Sequence, residues 1–92
     1  MVKNMSPYIK KLPPLETLIA FESVGRHGSF TQAATELYLT QSAVSRKIQQ
    51  LEAHFGVALF ARTSRNVRMT GEGEQVLASA RSILEQLKLL ED

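Results

Sequence analysis

The chain of 92 residues has no cysteine, no tryptophan and two histidines, and these shortages exclude several classes of protein. Without cysteine it can form neither disulfide bonds nor a zinc site built on thiolates. His27 and His54 have no companions at the spacing of metal ligands or of a catalytic triad. We therefore predict no enzyme activity, no metal and no cofactor. The lack of cysteine also fits the cytoplasm, where we expect the protein to reside.

Long apolar runs are missing as well. No stretch approaches the roughly 20 apolar residues of a membrane-spanning helix. The opening segment carries Pro7, Pro13 and Pro14 and lacks the apolar core of a signal peptide. We expect a soluble intracellular protein without membrane contact. A chain of 92 residues forms at most one small domain, which benefits from a partner subunit because it buries little of its own surface.

The charges that are present are unevenly distributed. Residues 29–70 carry five Lys or Arg against two Glu, a balance of +3, whereas residues 71–92 carry two against five acids, a balance of −3. This division predicts a middle segment that faces nucleic-acid phosphates and a C-terminal segment that faces away from them. Ordinary solvated surface charge is the alternative interpretation.

Proline, glycine and capping residues predict where the first helices begin and end. Residues 1–14 are expected to form a flexible arm, since lysines and prolines dominate them. The first helix begins near Leu15, and Gly25 and Gly28 are expected to end it. Ser29, with Gln32 three positions later, predicts a capping box at the start of the second helix.

A turn at Tyr38 and Leu39 leads into a third helix, which Thr40 caps. Tyr38 occupies the turn position that usually holds glycine, so we expect it to adopt a positive φ. The apolar residues of the third helix recur at i, i+4, i+7 and i+11: Val44, Ile48, Leu51 and Phe55. Its opposite face carries mostly short polar groups that can approach base edges: Ser42, Ser45, Arg46, Gln49 and Ala53.

After Gly56, strand-forming residues flank the polar segment 63–66 and predict a two-stranded wing. Thr70 then caps a last helix, along which apolar residues recur at the spacing of a heptad seam: Val76, Ala80, Ile83, Leu87 and Leu90. This seam either packs on its own domain or pairs with a second copy of the chain. The 3.5-residue spacing favours pairing, and therefore a homodimer.

Five blocks of sequence, AFESV, GSFTQAA, TQSAVSRKIQQLE, LFAR and MTGEG, follow one another in this order. They resemble the N-terminal domain of LysR-type transcriptional regulators, and the resemblance covers roughly residues 12–92. The opening KLPPLETLIAFE is similar to the subgroup that includes activators of glycine-cleavage and beta-lactamase genes. The resemblance implies a mainly α fold: a winged helix-turn-helix of three helices and a two-stranded wing over residues 15–70, then a linker and dimerisation helix over residues 71–92. The effector-binding domain of such regulators is absent, which suggests a fragment.

The resemblance also implies roles for individual side chains. Its base-reading set corresponds to Gln41, Ser42, Ser45 and Arg46, of which Arg46 could bind a guanine edge and Gln41 an adenine edge. Hydroxyls at helix N-termini suit phosphate oxygens as well as capping: Ser29, Thr31 and Thr40. The wing set corresponds to three arginines that would follow the DNA backbone or enter the minor groove: Arg62, Arg65 and Arg68. For each of these arginines an ordinary solvated position stays open.

The sequence thus predicts a sequence-specific, homodimeric DNA-binding domain of a bacterial transcription regulator. Two-fold pairing predicts an interrupted palindrome whose half-sites lie one DNA turn apart or a multiple of it. A winged-helix module that docks onto protein is the alternative, but it would favour apolar or acidic residues on the outer face of the third helix. A small-molecule effector would bind the missing domain. The operator, the effector, and a higher oligomer of the parent protein stay open.

Overall fold

A computed structural model describes residues 6–8, 11–63 and 67–91. Within them, helices and strands follow in the order α1 (Leu15–His27), α2 (Phe30–Leu37), α3 (Gln41–Phe55), β1 (Phe60–Arg62), β2 (Val67–Met69) and α4 (Gly71–Glu91). The two strands form an antiparallel sheet in which Phe60 lies opposite Met69 and Arg62 opposite Val67. The predicted fold is confirmed: a mainly helical winged helix-turn-helix followed by a long helix.

α2, α3 and α4 begin directly after the predicted capping residues. Each cap hydroxyl accepts the backbone N–H three positions further on, at 3.0 Å for Ser29, 3.1 Å for Thr40 and 2.9 Å for Thr70. Gly28 ends α1 in the left-handed conformation, with φ 65°, and its N–H donates to the Val24 carbonyl at 2.8 Å. The caps supply partners for backbone groups that have none within the helix, and so determine where each helix begins and ends.

Gly25 lies inside α1, so the prediction that it helps to end this helix is wrong. A Cβ atom at this position would collide with the end of the Met69 side chain and would lie 3.5 Å from a Leu77 methyl group. The missing side chain therefore lets α1 pack closely against β2 and α4.

The core lies between the first three helices. Val44, Ile48 and Leu51 of α3 are fully buried and pack in one cluster with residues of α1 and α2. Burial of such side chains stabilises the fold by roughly 1.5–3 kcal/mol each. Phe55, predicted to lie on the same apolar stripe, is 44% exposed. That last turn of α3 runs past the core, and the Phe55 ring lines a surface groove beside α4.

The two halves of α4 have different surroundings. In the first half Gly73, Leu77 and Ala80 are buried within the chain, whereas in the second half Ile83 and Leu90 are 46% and 81% exposed. The predicted seam therefore begins inside the domain and continues into solvent. Neither α4 nor another helix of the described residues is long and apolar enough to cross a membrane.

The first turn of α4 is attached to the segment that connects α3 to the wing. The Thr70 hydroxyl donates to the Ala58 carbonyl at 2.7 Å, and the Thr70 N–H donates to the Leu59 carbonyl at 3.0 Å. A Cβ atom on Gly73 would overlap the Leu59 carbonyl oxygen. Glycine is therefore required at position 73 for this close approach of two backbone segments.

Candidate nucleic-acid interface

The turn between α2 and α3 determines the direction of α3 relative to α2. Tyr38 adopts φ 57°, as predicted for this position, and the following N–H, from Leu39, donates to the Ala34 carbonyl at 2.9 Å. A left-handed conformation costs about 1–2 kcal/mol for a residue with a Cβ atom. The Tyr38 side chain is 95% exposed, so its bulk meets no obstacle in the fold.

The outward face of α3 brings the predicted base-reading residues together on one surface. Gln41, Ser42 and Arg46 are exposed and Ser45 is half-buried. With Gln49 they line a shallow depression of about 460 Å³. Because the lining contains no large apolar side chain, this surface offers hydroxyl, amide and guanidinium groups to a ligand.

The three predicted phosphate-binding hydroxyls lie at the N-termini of α2 and α3. Ser29 and Thr40 accept the capping bonds, and each hydroxyl proton can still be donated to another group. Thr31 is exposed on the first turn of α2, and its hydroxyl is 3.4 Å from the Gln41 side-chain oxygen on the first turn of α3. This contact joins the two helix starts.

Two of the three predicted wing arginines lie on the described strands, whereas Arg65 lies outside the described residues. Arg62 ends β1, and its guanidinium lies over the Phe30 ring with Cζ 4.7 Å from the ring centroid. Arg68 is exposed on β2, opposite Ala61. In the part of the chain that the structure describes, Glu22 and Glu36 are the acids that form ion pairs, and neither contacts a wing arginine.

Glu52 connects α3 to the wing, a role that the sequence analysis missed. Its carboxylate accepts the backbone N–H of Leu59 at 2.9 Å and that of Phe60 at 3.3 Å. These bonds orient the start of β1 relative to α3. The available signal was that Glu52 is the only acid in an otherwise basic helix.

A second polar cluster, also missed, ties α1 to α2. The Glu36 carboxylate accepts hydrogen bonds from Arg26 at 2.7 Å and from the Ser23 hydroxyl, and His27 lies 3.1 Å from it. The Arg26 bond, with a further contribution from Ser23, lowers the pKa of Glu36 to about 2. Arg26 also pairs with Glu22, so its charge is compensated within the fold. No group of three or more His, Cys, Asp or Glu suited to a metal ion occurs among the described residues.

Comparison with known sequences identifies relatives over most of the chain. A family model described as "Bacterial regulatory helix-turn-helix protein, lysR family" matches residues 15–74. The glycine cleavage system transcriptional activator of Escherichia coli (strain K12) is 45% identical over 78 residues, which are 85% of this chain and 26% of that protein. The HTH-type transcriptional activator AmpR of Pseudomonas aeruginosa is 53% identical over 64 residues, 70% of this chain and 22% of that protein. The chain thus spans about a quarter of the length of these relatives.

Solved structures have the same fold. A crystal structure of the BenM DBD in complex with catB site 1 DNA matches with a TM-score of 0.79 at 37% identity, covering 83% of this chain and 85% of that one. A CbnR DBD–DNA complex matches with a TM-score of 0.79 at 35% identity, covering 85% and 90%. The curated relatives are transcriptional regulators, which confirms the prediction that the chain is not an enzyme. With its winged helix-turn-helix fold and these relatives, the chain belongs to the lysR family of bacterial regulatory helix-turn-helix proteins.

Proposed function

We propose that the chain binds a specific sequence of double-stranded DNA through α3, as the DNA-binding part of a LysR-type transcription regulator. The observation that carries this proposal is the outward face of α3, a shallow polar surface opposite the fully buried residues Val44, Ile48 and Leu51. The structures of the BenM and CbnR domains, to which the chain is similar, are complexes with DNA. A regulator of this kind acts where bacterial DNA is, so we also propose that it is cytoplasmic.

In this proposal α3 lies in the major groove, which is about 12 Å wide and admits a helix with its side chains. Arg46 and Gln41 are the long groups that can bind a base edge through two hydrogen bonds. Ser42 and Ser45 have short side chains, so the helix backbone can approach the bases closely.

Contacts to the DNA backbone come from both sides of α3 in this proposal. The hydroxyls of Ser29, Thr31 and Thr40 lie at helix N-termini, where the free N–H groups and the helix dipole favour a phosphate. The wing contributes Arg62, Arg65 and Arg68 to the flanking backbone or the minor groove. These contacts fix the position of α3 on the duplex without reading its sequence.

We propose further that two copies pair through α4. Its exposed residues Ile83 and Leu87 line an apolar groove of about 570 Å³ together with Leu12, Leu15 and Phe55. A single chain would leave this surface in water. In the predicted dimerisation set, Val76 and Ala80 form part of the groove lining, while Ile83, Leu87 and Leu90 supply the exposed apolar edge.

The same assignment divides the chain into an arm over residues 1–14, a DNA-binding unit over residues 15–70 and a linker helix over residues 71–92. Because the curated relatives are about three times as long as this chain, we propose that effector binding belongs to a further domain. A two-fold pair of DNA-binding units then recognises an interrupted palindrome.

Selection of bound duplexes from a random DNA pool tests this function. We expect enrichment of two inverted half-sites whose centres are about 10–10.5 base pairs apart or a multiple of that distance. A variant with alanine at both Gln41 and Arg46 should lose the enrichment. Arg81→Ala, which removes a positive charge from an exposed position of α4, is the matched control and should retain it. No enriched sequence with the unaltered chain would contradict the proposal and favour a protein-docking module.

A further inference from the structure

Arg62 lies at the solvent end of a row of packed aromatic rings. Phe30, the first residue of α2, is 9% exposed, so the core holds its ring in place. Its ring centroid is 6.0 Å from that of Phe60, which in turn is 5.3 Å from that of Phe21, and both contacts are edge-to-face. The Arg62 guanidinium covers the Phe30 ring at the solvent end of this row, with Cζ 4.7 Å from the centroid.

The geometry of β1 explains why Arg62 meets Phe30. Phe60 and Arg62 are two positions apart on one strand, so their side chains leave the wing on the same face. The Phe60 side chain enters the core. The next side chain on that face therefore lies at the edge of the core, directly over the start of α2.

A guanidinium that lies over an aromatic ring keeps its hydrogen-bond donors. The ring attracts the positive charge of the group, and this contact engages no oxygen or nitrogen acceptor, so the five N–H donors of the guanidinium remain able to bind an anion. The ion pairs of the described residues involve Arg26 and His27 rather than Arg62. The donor edge of Arg62 is thus available to an anion beside the first turn of α2, where the Thr31 hydroxyl is also exposed.

We propose that Phe30 is a positioning residue for DNA binding, which holds Arg62 so that its donor edge meets a backbone phosphate beside the N-terminus of α2. This inference rests on the proposed DNA-binding function. Without the ring, Arg62 keeps its charge, but its long side chain must be ordered when the complex forms, and that loss of conformational freedom weakens binding.

A double-mutant cycle tests the coupling between the two residues. Dissociation constants for one duplex are measured for the unaltered chain, Phe30→Leu, Arg62→Ala and the double variant. We expect Phe30→Leu to weaken binding about two- to five-fold, with an unchanged dependence of log K on log salt. Arg62→Ala should lower that slope by about 1. In the Arg62→Ala background, Phe30→Leu should have no further effect. An equal loss in both backgrounds would overturn the proposal.

Arg68 provides the matched control, because it is the other described wing arginine and lies on β2 without a stacking ring among the described residues. The effects of Arg68→Ala and Phe30→Leu should multiply. Arg62→Lys leaves the core intact and so decides the question if Phe30→Leu does not fold. Lysine keeps the charge but not the planar group, so the slope should stay and the affinity should fall. Unchanged affinity would contradict the proposal.

Nuclear magnetic resonance of the free chain tests the stack without DNA. The δ-methylene protons of Arg62 should be shifted upfield by the Phe30 ring, and Phe30→Leu should remove the shift while the backbone amide spectrum stays dispersed. Unshifted Arg62 protons in the unaltered chain would overturn the positioning role. A chain that has the stack but binds no duplex would instead contradict the proposed DNA-binding function.

Discussion

α3 and α4 differ in the surface that each leaves open, which is polar on α3 and apolar along one edge of α4. α3 buries Val44, Ile48 and Leu51 completely and leaves hydroxyl, amide and guanidinium groups in solvent. α4 buries Gly73, Leu77 and Ala80 in its first half and leaves leucine and isoleucine in solvent along the second.

In the proposed function this difference separates two tasks within one small chain. A polar surface on a rigid, well-packed helix suits a charged and hydrated ligand, since its donors are already held in place. An apolar edge suits another protein surface, since its burial removes unfavourable contact with water. Substitutions on the two helices should therefore affect different measurements.

The largest expected effect is on the assembly. Aspartate at both Ile83 and Leu87 would place two charges per chain in the proposed subunit interface, which is strongly unfavourable. We expect the pair to dissociate into folded monomers that bind one half-site weakly and no longer prefer a palindrome spacing. Sedimentation of the double variant measures this. A dimer that persists at micromolar concentration would mean that another surface joins the subunits.

The same apolar substitution on the two helices sharpens the comparison. Ile48→Ala leaves a cavity in the core and should lower the free energy of unfolding by about 2–5 kcal/mol. Ile83→Ala at an exposed position should lower it by less than about 0.5 kcal/mol in a monomeric background. Urea denaturation of both variants in the Leu87→Asp chain gives the difference. Similar losses would show that α4 is covered by its own chain.

Arg46→Ala should act on recognition rather than on folding, because Arg46 is exposed on the outward face of α3. We expect a loss of about 1–3 kcal/mol in binding to the selected duplex and a smaller loss on random duplexes. Competition binding against both kinds of DNA measures the two losses. Equal losses would make Arg46 a phosphate contact instead of a base-reading residue.

The smallest expected effect concerns the polar tie between α1 and α2. Because the folded-state pKa of Glu36 is lowered from 4.5 to about 2, its bonds stabilise the fold above pH 4.5, and this stabilisation is lost as the pH falls toward 2. The Glu36 side chain is 37% exposed, so solvent screening keeps the effect small. Glu36→Gln should flatten the pH dependence of the free energy of unfolding in this window, and an unchanged pH dependence in this variant would contradict the prediction.

Features specified by neighbouring residues could be predicted from the sequence. The caps at Ser29, Thr40 and Thr70 and the outward face of α3 follow from spacing along one helix. The position of Arg62 over Phe30 could not be predicted, because it depends on how the wing meets the start of α2. The bonds of Glu52 to the wing depend in the same way on where the chain turns after α3.

The predictions for Phe55 and Gly25 failed for a related reason. The periodicity predicts that Phe55 belongs to the apolar stripe, but it gives no sign that the core ends one turn earlier. Glycine near the end of a helical pattern is a common stop signal, but Gly25 is instead a point where α1 approaches Met69 and Leu77. Both outcomes depend on neighbours that are distant in the sequence.

The hydrogen bonds of Thr70 and the close approach of Gly73 to Leu59 attach α4 to the domain at its first turn. A small change of angle at this attachment therefore moves the far end of the helix by a much larger distance. The 21 residues of α4 extend for about 31 Å, so a tilt of about 10° at this attachment would displace the far end by about 5 Å. One base pair advances the duplex by about 3.4 Å. In the proposed pair, a looser attachment at Thr70 would therefore vary the distance between the two DNA-binding units by more than one base pair. The few atoms around Thr70 and Gly73 would then determine which half-site spacing the pair recognises.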